Sequence, residues 1–130
     1  MKKALIGLFI AILLVSELIY FNQPNKEKNN DKEIIKIGVV YPMTGSASFM
    51  GTGAKNAVAL FQDKMASMNL KHHYEFVLED SQAQPSVGLS AAMKLINLDQ
   101  VDVIVDTFSG VAIAIGNLTE RAKIPHFSCL

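Results

Sequence analysis

The run I-I-K-I-G-V-V-Y at residues 34–41, closed by Pro42, limits what this chain can fold into more than any other stretch. Ile35, Ile37, Val39 and Tyr41 stand on one parity and Ile34, Gly38 and Val40 on the other, the pattern of a strand covered on both faces. Proline offers no N–H to a ladder, so the strand ends at Pro42. Thr44, Gly45, Ser46 and Ser48 then make a polar loop, and a helix is expected from Gly51 onward. Strand, long loop and helix form the opening half of a βαβ unit. In an open parallel sheet the loops at the carboxyl ends of the strands hold ligands, so the question of function becomes what this loop faces.

The rest of the chain repeats the pattern. Ala54, Ala57, Val58, Phe61, Met65 and Met68 recur at helical spacing over 52–69 and predict an amphipathic helix packed on the sheet. Tyr74, Phe76 and Leu78 alternate with Glu75, Val77 and Glu79, which suits an edge strand with one half-polar face. His72 and His73 are neighbours, point to opposite sides of a strand and cannot share a metal, so both are read as solvated. Pro85 opens a second helix whose buried side is Val87, Ala91, Ala92, Leu95 and Ile96. Val101, Val103, Ile104 and Val105 form a third strand. Val111, Ile115, Leu118 and Ala122 mark a third helix, with Ser109 at its expected N-cap. Residues 126–129 begin a fourth strand. The order βαβαβαβ predicts an α/β fold, a parallel sheet with helices on both faces.

Ahead of this domain, Lys2 and Lys3 precede an apolar run over 4–15, the size of a signal-peptide core. No pair of small residues marks a cleavage site, and continued to Phe21 the segment roughly spans a bilayer at about 1.5 Å per residue. Residues 1–21 are therefore read as a signal peptide or an N-terminal membrane anchor, 22–33 as a polar linker and 34–130 as the folded part, outside the cytoplasmic membrane. Twelve basic and twelve acidic side chains cancel, leaving no field to attract nucleic acid. A single cysteine, Cys129, precludes an internal disulfide and reads as a small apolar strand residue.

A first strand in the middle of the sheet, with the second and third on either side, opens a crevice between the loops after the first and third strands. Those loops, 41–51 and 107–110, are rich in hydroxyls and glycine and hold no histidine, acid pair or lysine that could activate a nucleophile or bind a metal. The second feeds a helix N-terminus, which favours an anion. The chemistry on offer is binding of a small anion or zwitterion without bond breaking. No cofactor and no enzymatic activity are expected.

The runs I-K-I-G-V-V-Y-P-M-T-G-S-A-S-F-M-G, F-V-L-E-D-S-Q-A-Q-P-S, V-D-V-I-V-D-T-F-S-G and I-P-H-F-S resemble the N-terminal part of branched-chain amino-acid-binding proteins, type I periplasmic substrate-binding proteins of ABC importers. The resemblance covers 34–130 and implies the first part of lobe one of a bilobed clamshell that binds an amino acid or related carboxylate and delivers it to permease subunits in the membrane. It places the ligand among Ser48, Phe49, Met50, Thr107, Phe108, Ser109 and Gly110. The family's carboxylate-binding serine falls on Ser109, and its aromatic residue before the first-loop glycine falls on Met50, with Phe49 beside it. The family's chain is more than twice as long, so the second lobe has no counterpart in these residues. The lipoprotein cysteine of some members is also absent, so attachment would rest on residues 1–21.

Two other readings stand beside this one. A truncated remnant without activity of its own would show the same residues. A receiver-like signalling domain would use Asp106 as phospho-acceptor, but needs an acidic pair after the first strand, where Tyr41 and Pro42 stand. The pair Gly51 and Gly53 lacks the third glycine of a dinucleotide fingerprint, since Asn56 takes that place.

Overall fold

The computed structural model describes residues 32–129. The N-terminal apolar segment and most of the polar linker lie outside the described residues, and so does Leu130. Among the described residues no helix is long and apolar enough to cross a membrane.

Four parallel strands, β1 (Ile34–Tyr41), β2 (His73–Asp80), β3 (Val103–Thr107) and β4 (His126–Cys129), stand in the order β2-β1-β3-β4. The helices between them are α1 (Ser48–Ala66), α2 (Pro85–Lys94) and α3 (Ser109–Ala122). The first strand is central and the second lies at an edge, as the patterns of residues 34–41 and 73–79 require. The third strand begins two residues later than its valines suggest, because Val101 is buried ahead of it and Thr107 is its last residue.

One face of the sheet is sealed. Val40 and Ile104 face Ala91, Ala92 and Leu95 of the α2 segment and Val111 and Ile115 of α3, all buried. Each large aliphatic side chain hidden here contributes about 1.5–3 kcal/mol. Gly38 belongs to this layer for lack of room: a Cβ there would stand 2.9 Å from Cδ1 of Leu95. Lys36, the one charge inside β1, is accommodated by the end of the α2 segment, where a π-helical turn (Leu95–Asp99) follows. Its Nζ donates to the Asp99 carbonyl at 3.0 Å, and its backbone N–H to the Asp102 carboxylate at 2.8 Å. Pro85 occupies the first turn of α2 as expected.

The other face is covered only in part, by α1. This helix starts at Ser48, three residues before Gly51, and ends at Ala66 rather than Asn69. Gly45, at φ 81°, lets the loop reverse early, and Ser48 N–H donates to the Gly45 carbonyl at 3.2 Å. Ala54, Val58 and Met65 are half-buried as the helical spacing implies, but Ala57, Phe61 and Met68 face solvent, Phe61 at 61% exposure. Over β3 and β4 nothing described covers this face: Val103 and Val105 are half-buried and Phe127 is 60% exposed. A cavity of about 470 Å³ lies between the end of α1, at Gln62, Met65 and Met68, and Tyr74 and Phe76 of β2. His72 lies beside it, with Nδ1 3.3 Å from the Glu33 carboxylate.

The two glycines at the start of α1 serve different ends. A Cβ at Gly51 would sit 2.3 Å from the Pro42 carbonyl oxygen and 2.6 Å from the Met43 Cα, backbone atoms that cannot step aside, whereas at Gly53 it would meet nothing. Gly51→Ala is expected to destabilise by about 1–3 kcal/mol through overpacking. Gly53→Ala should stabilise by about 0.5–1 kcal/mol through helix propensity. Urea denaturation of the two variants, read by circular dichroism, checks both signs.

Candidate functional site

The register pair Val40–Asp106 is followed on each strand by one last residue, Tyr41 on β1 and Thr107 on β3. The loops that leave these neighbouring strands therefore rise side by side at the carboxyl edge. On the far side of β1, Tyr41 pairs with Asp80, the last residue of β2, so a third turn joins the same rim.

Within this rim Ser48, Phe49 and Met50 are the first residues of α1 rather than part of a loop. Ser48 and Met50 are half-buried and Phe49 is 74% exposed. Thr107 is buried, and its hydroxyl is already used, donating to the Cys129 carbonyl at 2.8 Å. The expected loop of 107–110 shrinks to Phe108, which turns the chain at φ 82° and ψ 113° and leads straight into α3. That positive φ is uncommon for a residue with a Cβ and carries strain of about 1–3 kcal/mol.

Ser109 is not an N-cap. Phe108 holds that position, no side chain caps the helix, and Ser109 is the first helical residue. The Phe108 carbonyl accepts from the N–H groups of Val111 and Ala112, both at 2.9 Å. Among the described residues the N–H groups of Ser109 and Gly110, and the Ser109 hydroxyl, have no acceptor, and both residues are exposed. A helix start with unspent N–H groups and no acidic residue in its first turn is suited to receive an anion. Gly110 is confined on its other side, where a Cβ would come within 3.2 Å of the Pro85 ring.

The sequence pattern misses Asp80. Its Oδ1 accepts from the N–H groups of Met43 at 2.7 Å, Thr44 at 3.3 Å and Gln82 at 2.8 Å, and its Oδ2 from the Thr44 hydroxyl at 2.5 Å. Burial alone would raise its pKa. The four hydrogen bonds, led by that from the Thr44 side chain, outweigh burial and hold the carboxyl below the ordinary aspartate range. The signal that could have found it is an aspartate directly after an apolar strand run and just before a turn, where Asx-type bonds form.

Beneath the rim, burial pushes the Tyr41 hydroxyl up in pKa, with the neighbouring Cys129 thiol and the Asp106 carboxylate adding to the effect. Cys129 lies in a strand as expected but is exposed rather than buried. Asp106 is fully buried on the α2 and α3 side, with His126 Nε2 3.3 Å from its Oδ1 and no well-aligned hydrogen bond to either oxygen among the described residues. A carboxylate sealed in this way is not open to phosphorylation, so the receiver-like reading has no acceptor at this position.

The sheet order and the crossing helices match the first part of lobe one of a type I periplasmic-binding-protein fold. The chain belongs to the periplasmic binding protein family, whose profile matches residues 34–130. Among solved structures, a solute-binding protein of an ABC transporter from Rhodopseudomonas palustris BisB5, in complex with 3,4-dihydroxybenzoic acid, is 31% identical at a TM-score of 0.67 over 73% of this chain and 26% of its own. Another R. palustris solute-binding protein, in complex with 4-hydroxybenzoate, is 26% identical at a TM-score of 0.66 over 74% of this chain and 27% of its own. A leucine-binding protein from Thermotoga maritima is 26% identical at a TM-score of 0.63, over 74% and 28% of the two chains. The chain thus spans about a quarter of the length of these solved relatives. No curated protein matches. The branched-chain amino-acid binders are accordingly one of several groups that it resembles.

Replacing the imidazole beside Asp106 by an apolar group leaves the buried carboxyl without its polar neighbour. His126→Leu is expected to destabilise by about 1–3 kcal/mol, and adding Asp106→Asn should recover part of that loss. A double-mutant cycle in urea measures both.

Proposed function

We propose that this chain is the N-terminal portion of the extracytoplasmic solute-binding component of an ABC-type importer, and that the first turn of α3 takes the carboxylate of a small solute. The single observation that supports this reading is that the paired strands β1 and β3 lead, at the same edge of the sheet, into two helix starts whose donors are unspent: Phe49 N–H on α1, and Ser109 N–H, Gly110 N–H and the Ser109 hydroxyl on α3. Hydrogen bonds to a charged group are worth about 1.5–3 kcal/mol each, enough for a few of them to anchor a carboxylate.

The relatives support a carboxylate in two forms, an amino acid in the leucine-binding protein and an aromatic acid in the benzoate-bound proteins. In either form Thr107 serves as support rather than donor, because its hydroxyl is committed to β4. Phe49 and Met50 offer apolar surface to the solute's side chain, and Phe108 flanks the other wall. Residues 1–21 would export the domain and, if retained, tether it near the permease subunits that receive the solute. No metal, cofactor or nucleic acid enters this scheme.

Because the chain spans about a quarter of its solved relatives, the second wall of a clamshell site falls outside it, and affinity of this polypeptide alone should be weaker than micromolar. Titrating the 15N-labelled chain with leucine and, separately, with 4-hydroxybenzoate should move the amide resonances of Ser109 and Gly110. Ser109→Ala should weaken that binding about tenfold. It should change stability by no more than about 0.5 kcal/mol, since the hydroxyl caps nothing. If neither carboxylate perturbs these two amides, the solute-binding reading is wrong.

A further inference from the structure

We propose that Asp80 is the positioning residue of the candidate site: one carboxylate at the end of β2 sets the path of residues 42–47, and thereby the place of Ser48–Met50 at the start of α1. The role assigned to Ser48–Met50 rests on the solute-binding reading; the clamp itself does not.

The geometry is specific. Three of the four donors to Asp80 come from Met43 and Thr44, respectively 37 and 36 residues earlier in the chain, and the fourth comes from its own turn at Gln82. Two things make the carboxylate available there. Its strand partner is Tyr41, so both strands end level and Asp80 stands beside the point where the loop departs. The turn that follows bends sharply, with Gln82 at φ 50° and Ala83 at φ 57°, while Ser81 is buried and its N–H donates to the Tyr41 carbonyl at 3.0 Å. Two consecutive non-glycine residues in the left-handed region cost about 1–3 kcal/mol each, strain that persists only where the surroundings enforce it.

The downstream end of the loop has no comparable anchor. It is held by the Gly45 turn and by the contact of Gly51 with the Pro42 and Met43 backbone. Once Met43 is displaced, both the contact beneath Gly51 and the start of α1 shift with it. The clamp also gives the rim a polarity. The Met43 and Thr44 amides are consumed by Asp80 and cannot receive a solute carboxylate, which is left to the unspent donors of α3.

Protonation of Asp80 is the natural release. A carboxyl whose folded pKa is depressed contributes stability that is present above its unfolded pKa and is lost as pH falls through the folded value. The ionisable neighbours are few. Tyr41 is its partner on β1, and Glu79 leaves by the opposite face to meet Lys94. The loop residues 42–47 and the turn residues 81–84 bring no charge.

The test uses the full chain, labelled with 15N, and three variants: Asp80→Asn, Asp80→Ala and Thr44→Val. In the wild type the Met43, Thr44 and Gln82 amides and those of Ser48–Met50 should shift together through one acid transition lying below the ordinary aspartate range, and Asp80→Asn should abolish it. Exchange at Met43 and Thr44 should rise about tenfold or more in Asp80→Ala, with Val39 and Val40 in β1 unchanged. Should Asp80→Ala fail to fold, Thr44→Val removes one bond and should still raise Thr44 exchange several-fold. Unaltered exchange at Met43 and Thr44, or Ser48–Met50 resonances in Asp80→Asn that superpose on the wild type at neutral pH and still titrate in acid, overturns the proposal. A wild type with an intact clamp that binds neither leucine nor 4-hydroxybenzoate overturns the solute-binding reading and leaves the positioning role standing.

Discussion

Everything at the rim depends on β1 being paired in parallel on both edges. A parallel neighbour can be reached only by a crossover that returns to the starting end of the sheet, so each strand delivers its outgoing loop to the same edge. With β2 on one side and β3 on the other, the crossover through α1 and those through α2 and α3 pass over opposite faces, and the loops leaving β1 and β3 part in opposite directions. The gap between them is a consequence of strand order. Gly38 and Val40 hold β1 to this place through the sealed layer, and Lys36 does so through its bonds to the turn after α2.

The two faces of the sheet are unequal, and this bears on where the stability lies. On the α2 and α3 side Leu95, Ile104, Val111 and Ile115 are completely buried. On the α1 side Phe61 and Phe127 stand largely in solvent, and a cavity separates the end of α1 from β2. Local opening follows the distribution of buried apolar contacts, so α1 is the element held most weakly to the sheet in these residues. It is attached instead at its first turn, by the loop it grows from. An element fixed mainly at one end is governed by the geometry of that end, which gives the path of residues 42–47 its weight in this fold.

What could be read from the chain alone was set by local patterns. Alternation put β2 at an edge, Pro42 and Pro85 marked an end and a beginning, and the apolar spacing of 87–96 picked the buried side of α2. The misreadings are equally physical. Gly51 is the expected start of the first helix, yet it lies three residues inside it, where its lack of a Cβ serves close approach to Pro42, a reason with no local signature. Ser109 fits every local rule for an N-cap, but Phe108 takes that position through a positive φ that no propensity would assign to it. Phe61 and Met68 obey a helical period that their surroundings leave uncovered. Asp80 escapes the pattern because its partners lie 36 and 37 residues away, a separation at which periodicity carries no information.

The proposed site draws almost wholly on groups that do not ionise. Ser48, Phe49, Met50, Phe108, Ser109 and Gly110 contribute amide hydrogens, a hydroxyl and apolar surface, whose charge is the same across the range in which a solute carboxylate is ionised. A rim of this kind has no pH dependence of its own. The carboxylate nearest to it, Asp80, faces backbone rather than solute and alters the rim only by moving it. The deeper acid, Asp106, is fully buried, with His126 Nε2 3.3 Å from its Oδ1. In the proposed site recognition and ionisation would thereby be separated: fixed dipoles would meet the solute, while the one titratable group clamped to the loop, Asp80, would set where the start of α1 stands.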